Sequence, residues 1–187
     1  PMYKYNKIIV YNGEIYNFKE IKTILEKDGY KFESNNDCEV LLAAWDRWGA
    51  KSLDKIKGMF SFVICDQKYK KVFLVRDPFG KKPLVYSINN KFIAFASDLK
   101  ALEKIINTGG IDPLAVKSLF KLRFISDPLT IYQNAKKVPS GSILEFDSKS
   151  SRVYRWYSIP KNEELFVRVK GAGINNTDNY ILIWLGI

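Results

Sequence analysis

The sequence contains no histidine. Ser-His and Cys-His catalysis therefore have no base in this chain, and the commonest zinc ligand is missing. Acyl transfer would have to find its base elsewhere, and a free α-amino group, with a pKa of about 7.7–8.0, is one that any chain offers. Cysteine is scarce: Cys38 and Cys65 are the only two in 187 residues, too few for a disulfide framework. Both are expected to be reduced and partly buried. The longest purely apolar stretches fall far short of the roughly 20 residues that a membrane helix needs. No basic-then-apolar leader opens the chain, so a cytoplasmic protein without a membrane partner is expected. Internal repeats and low-complexity runs are also lacking.

What is present is ample material for a core, with 47% apolar residues and 14% aromatics. One domain, or one domain with a tail, fits this length. The formal charge of +10 invites a nucleic-acid reading. The lysines are scattered, however: Lys68, Lys70 and Lys71 fall in one expected turn, Lys81-Lys82 in another and Lys136-Lys137 in a third. No Arg-rich helix and no zinc-ligand or RNP-like pattern accompanies them, so no nucleic-acid partner is expected.

The stretch Tyr11-Asn12-Gly13-Glu14-Ile15-Tyr16-Asn17 is the most informative local feature. An Asn-Gly pair after the apolar run Ile8, Ile9, Val10 can offer a side-chain amide and an unobstructed backbone N–H to one developing oxyanion. The dipeptide most often marks a hairpin turn instead. Phe18, Ile21, Ile24 and Leu25 then recur at helical spacing, which favours strand, turn and helix over a simple hairpin. Glu14 and Asp37 are carboxylates suited to a substrate ammonium.

Further along, Tyr30-Lys31-Phe32-Glu33 reads as a short strand. Asp37 reads as the N-cap of a helix through Val40, Leu41, Ala44, Trp45 and Trp48, closed by Gly49. Gly58 to Asp66 and Val72 to Val75 make a hairpin over a Lys-rich turn. After the breaker-rich loop Arg76 to Leu84, Val85–Ile88 and Phe92–Ala96 make another across Asn89-Asn90. A helix from about Asp98 through Ile105 ends at Gly109-Gly110, and Pro113 starts one more. Pro139-Ser140-Gly141 turns into a strand at Ser142 to Phe146, paired with Arg152 to Tyr157. Hairpins plus amphipathic helices imply an α+β layered domain, sheet on sheet with helices outside. Residues 161–187 change character and stand as a tail of unassigned structure after a domain over residues 1–160.

Five segments stand in order: Asn12-Gly13-Glu14-Ile15-Tyr16-Asn17, Asn36-Asp37-Cys38-Glu39-Val40, Gly58-Met59-Phe60-Ser61-Phe62, Arg76-Asp77-Pro78-Phe79-Gly80-Lys81-Lys82-Pro83-Leu84, and Phe95-Ala96-Ser97-Asp98-Leu99-Lys100-Ala101-Leu102. Together they resemble the class II glutamine amidotransferase domain of glutamine-hydrolysing asparagine synthetases. Val138-Pro139-Ser140-Gly141-Ser142 is similar to the family's segment joining its two domains. The resemblance implies a four-layer α/β/β/α N-terminal-nucleophile sandwich of two antiparallel sheets, here partial. It implies a mechanism in which an amino-terminal cysteine attacks the glutamine amide and its own α-amine shuttles the proton. Ammonia then passes to an aspartyl-adenylate in a synthetase domain. Asn12 and Gly13 match the oxyanion-hole pair, and Glu14 and Asp37 match positions that hold the glutamine α-ammonium. Arg76 and Asp77 match a patterned loop and are read as structural. The implied ligand is glutamine, and the implied partners are the synthetase domain and, in complete form, a homodimer mate.

The chain departs from that pattern at both ends. It opens on Pro1-Met2-Tyr3 rather than Met-Cys-Gly, and the family's Arg-rich loop before the Asn-Gly motif is not in it. Neither cysteine supplies a terminal amine. No Ser-Gly-Gly-x-Asp-Ser loop appears, so no cofactor is expected in this chain; ATP and Mg belong to the family's synthetase domain. A fragment without glutaminase turnover is the expectation. The alternatives are a degenerate glutamine-binding or protein-interaction module, and an amidotransferase domain of a surface-polysaccharide biosynthesis enzyme.

Overall fold

The computed structural model describes residues 1–89, 92–147, 150–159, 166–167 and 181–182. The chain divides into two compact units, Pro1–Tyr157 and Ser158–Ile187. In the second, β10 (Phe166–Val167) pairs antiparallel with β11 (Ile181–Leu182). The rest of the expected tail lies outside the described residues.

The first unit is built on a six-stranded antiparallel sheet in the order β1-β2-β3-β4-β8-β9. Its strands are β1 (Met2–Lys4), β2 (Lys7–Ile15), β3 (Gly58–Asp66), β4 (Lys71–Arg76), β8 (Ser142–Phe146) and β9 (Ser151–Arg155). A second sheet has the order β6-β5-β7, from β5 (Val85–Ile88), β6 (Ile93–Ala96) and β7 (Lys136–Lys137). The helices are α1 (Phe18–Lys27), α2 (Asp37–Trp48), α3 (Leu99–Glu103) and α4 (Pro113–Leu122).

Period-two alternation in β3 separates two cores. Phe60, Phe62 and Ile64 pack with Ile9, Val75 and Ile143 against Ile21 and Leu25 of α1 and Leu41, Leu42 and Trp45 of α2. On the other face, Val63, Leu74 and Leu144 meet Leu84, Val138, Tyr86, Ile93 and Phe95 at the second sheet. Behind that sheet, Val85 and Ala94 pack against Leu102 of α3. The layer order is therefore helix, sheet, sheet, helix, the α+β sandwich expected. Each fully buried Phe or Leu contributes about 2–3 kcal/mol through burial alone. Both faces of the large sheet are covered, which explains the near-continuous apolar run of β3.

Five local expectations are corrected. Residues 30–33 form no strand; the Glu33 and Ser34 N–H groups are instead donated to the Glu39 carboxylate. The N-cap of α2 is Asn36, whose side chain accepts from the Cys38 N–H, and Asp37 is the first helical residue. The third helix stops at Glu103. Lys136 and Lys137 are strand residues, paired with Tyr86 and Val85, rather than a turn. The segment 138–142, expected to join two domains, lies inside the first unit. It carries the chain from β7 to β8, and buried Val138 donates its N–H to the Leu84 carbonyl at 3.0 Å.

Candidate functional site

Asn12 and Gly13 sit within β2, paired to Ser61 and Phe60 of β3, and not at a turn. Local turn preference is overridden because the ladder continues to Ile15, paired with Gly58. Glycine at 13 is demanded by the neighbouring strand: a Cβ there would lie 2.4 Å from the Met59 carbonyl oxygen and 2.7 Å from the Phe60 Cα. Gly58 answers it across the ladder, where a Cβ would meet the Glu14 carbonyl oxygen at 2.2 Å. Glycine at 13 thus permits a close backbone approach, and the approaching backbone is that of β3.

Strand alternation turns the Asn12 side chain to one face of β2, while the Gly13 N–H lies along the strand's edge. The Asn12 amide turns to the second sheet, where Nδ2 donates to Ser97 Oγ at 3.4 Å across a slot of about 130 Å³ lined by Ser61, Leu84 and Phe95. Gly13 lines an open cleft of about 630 Å³ together with Glu14, Ile15, Ser34, Asn36 and Asp37. Three of the four sequence-predicted site residues, Gly13, Glu14 and Asp37, thus share one cleft, and Asn12 borders it by one residue.

The orientation of the Gly13 N–H follows from its neighbours. The Ile15 N–H donates to Asp37 Oδ2 at 2.9 Å, away from β3. Alternate residues of a strand share an edge, so the Gly13 N–H points the same way. Pairing with β1 reaches only Ile9, and beyond it no strand covers this edge among the described residues. A backbone donor is thereby offered to the cleft.

Asp37 is fixed between α2 and β2. Its Oδ2 accepts from the Tyr11 hydroxyl at 2.6 Å as well as from Ile15. Burial, followed by this hydrogen bond to Asp37, pushes the Tyr11 phenol well above its ordinary range, so it stays a donor throughout neutral pH. The cleft wall at residues 33–34 is held by Glu39, a buried carboxylate from the first turn of α2. It accepts from Lys4 Nζ at 2.7 Å, from the Ser34 hydroxyl at 2.7 Å and from the Ser34 N–H at 2.9 Å. Burial pushes this carboxyl up, but the Lys4 ammonium, the Ser34 hydroxyl and the backbone donors outweigh it and take it down to about 2.

Neither cysteine can replace a terminal nucleophile. Both are free and half-buried. Burial, then the adjacent Asp37 carboxylate, pushes the Cys38 thiol up to about 11, and burial raises Cys65 as well. Both are therefore thiols, not thiolates, at neutral pH. Among the described residues, no group of three or more Cys, Asp or Glu side chains is placed to hold a metal ion. No helix among them is long and apolar enough to cross a membrane.

The Arg76-Asp77 loop braces the site from the far side. Asp77 is 1% exposed, and its carboxylate accepts from the N–H groups of Phe79, Lys81 and Lys82 at 2.9–3.0 Å. Arg76 donates to the carbonyls of Lys82, Val138 and Gly80 and to Asp127 Oδ2. This satisfies the structural reading of both residues. Sequence reasoning missed Tyr11, Glu39 and Ser97. Glu39 was legible as the glutamate three residues after a cap at Asn36, whereas Tyr11 reads in sequence as one more aromatic strand residue.

Comparison with known proteins gives a consistent result. A family model described as glutamine amidotransferase domain matches residues 1–157. Asparagine synthetase [glutamine-hydrolyzing] 1 of Bacillus subtilis is 39% identical over 134 residues, covering 72% of this chain and 21% of that protein. Putative asparagine synthetase [glutamine-hydrolyzing] 2 of Methanocaldococcus jannaschii is 34% identical over 168 residues, covering 87% of this chain and 32% of that protein. The chain therefore spans a third or less of the length of these relatives. Among solved structures, glutamine phosphoribosylpyrophosphate amidotransferase from B. subtilis matches 84% of this chain with a TM-score of 0.58 at 20% identity, a likeness of fold.

Proposed function

The chain belongs to the glutamine amidotransferase domain family, and from that premise we propose that residues 1–157 carry the glutamine-recognising wall of a glutaminase site. In this reading the Gly13 N–H and the Asn12 amide are the two donors for the oxyanion formed when a thiolate adds to the side-chain amide of glutamine. Asp37 and Glu14 hold its α-ammonium. The observation that carries the proposal is the shared cleft of Gly13, Glu14 and Asp37, with the Gly13 N–H on the uncovered edge of β2. The nucleophile is not among residues 1–187, since Cys38 and Cys65 are internal and held as thiols. The ammonia released in the complete site would serve a synthetase domain of the kind the relatives' names imply, with ATP and Mg in that domain.

The test is a titration of the isotopically labelled chain with glutamine, followed by the amide resonances of Gly13 and Ile15, alongside an ammonia-release assay. Saturable, millimolar shifts at both amides that Asp37→Asn weakens about tenfold, without ammonia above buffer, are expected. Shifts absent at 50 mM glutamine, or unchanged in Asp37→Asn, refute the assignment. A degenerate glutamine-binding module is favoured instead if affinity is micromolar, since such tightness implies a complete ligand shell in this chain alone.

A further inference from the structure

Resting on the reading of the cleft as a glutamine site, we infer that Tyr11 is a positioning residue that selects for ligands carrying an α-ammonium group. The side chain lies one pleat below the Gly13 edge, on the helix-covered face of β2, and is partly buried against the core beneath α1 and α2. Its hydroxyl donates to Asp37 Oδ2 at 2.6 Å, the shortest bond that carboxylate makes. The second bond to the same oxygen, from the Ile15 N–H, comes from the strand that also presents Gly13. With both donors on Oδ2, the carboxylate is pinned against rotation, and Oδ1 is the oxygen left for a cation in the cleft. A hydrogen bond to a charged carboxylate is short and strong.

The arrangement couples the two ends of a ligand. The same β2 segment supplies the donor for an amide oxygen at Gly13 and, through Ile15 and Tyr11, fixes the acceptor for an ammonium at Asp37. In this scheme a ligand that carries both an amide and an ammonium engages both. A ligand with the amide alone meets only the first. Tyr11 has no reach to the ligand itself in this scheme. It acts through Asp37, so its removal should alter preference between ligands more than general integrity. Glu14, also on the cleft but exposed, is the other carboxylate facing the ammonium and is left untouched by the change.

The discriminating experiment compares glutamine with 4-carbamoylbutanoate, which is glutamine without its amino group, by the same amide titration on the parent, Tyr11→Phe and Asp37→Asn chains. The parent is expected to prefer glutamine by about tenfold, the scale of one charge-assisted hydrogen bond. Tyr11→Phe is expected to erase most of that preference while leaving the affinity for 4-carbamoylbutanoate unchanged. Equal weakening of both ligands would make Tyr11 merely structural, and an unchanged preference would make it irrelevant; either overturns the inference while the glutamine reading stands. A parent chain that shifts with neither ligand removes the glutamine reading and the inference with it. Thermal unfolding of Tyr11→Phe within a few degrees of the parent confirms that the comparison is between folded proteins.

Discussion

Replacing Glu39 by glutamine should expose how the wall of the cleft is held. In the folded chain this carboxyl, 3% exposed, is drawn from its ordinary 4.5 down to about 2. At about 1.4 kcal/mol per pH unit, that difference amounts to roughly 3 kcal/mol of stability from the ionised form. Because the folded value is the lower one, the contribution is complete above the unfolded value of 4.5 and is lost as pH falls towards 2. By pH 3 about three fifths of it should be gone. Glu39→Gln keeps the shape but never ionises, so it mimics the protonated parent at every pH. Urea unfolding of both proteins between pH 7 and pH 3 should show a stability gap of roughly 3 kcal/mol that narrows to about 1 kcal/mol at the acid end. Other carboxylates titrate in both proteins and cancel in the difference. A gap constant with pH, or one that widens on acidification, would refute the assignment of Lys4, Ser34 and the backbone donors as partners of an ionised Glu39.

Three further outcomes follow from the same geometry. Gly13→Ala should cost at least about 2 kcal/mol in urea unfolding, because its Cβ meets strand backbone and not a movable side chain; a neutral result would mean that β2 and β3 are further apart than described. Asp77→Ala strands three backbone N–H groups in a buried loop and should cost about 3 kcal/mol or more, read as a fall in the thermal midpoint. With its thiol raised to about 11, Cys38 should react with iodoacetamide at least tenfold more slowly than a free cysteine at pH 8, and its rate should keep climbing with pH until about 11; peptide mass mapping separates it from Cys65.

The sheets were legible in the sequence where burial on both faces leaves an unambiguous apolar run, as in β3 and β4, and where breakers flank it, as around β5 and β6. The helix starts were nearly so: Asn36 and Asp37 are both good caps, and only the side-chain bond to Cys38 N–H decides between them. Turn chemistry misled at Asn12-Gly13, because a dipeptide's local preference says nothing about a partner strand far along the chain, at Met59 and Phe60, that demands glycine for steric reasons. The candidate site was visible through the resemblance of its motifs and not through periodicity. Two of its supports were not, since Tyr11 and Ser97 act through contacts between elements far apart in the chain.

Arg76 leaves β4 of the large sheet and ends on carbonyls at both approaches to the small one, Lys82 before β5 and Val138 after β7. A planar fork of donors fixes distance and angle together, which greasy contact between two sheets does not. The guanidinium therefore serves as a ruler for the gap into which Asn12 and Ser97 project, and this registration persists when cooling weakens the apolar forces on either side. Lysine at this position would keep the charge and lose the ruler.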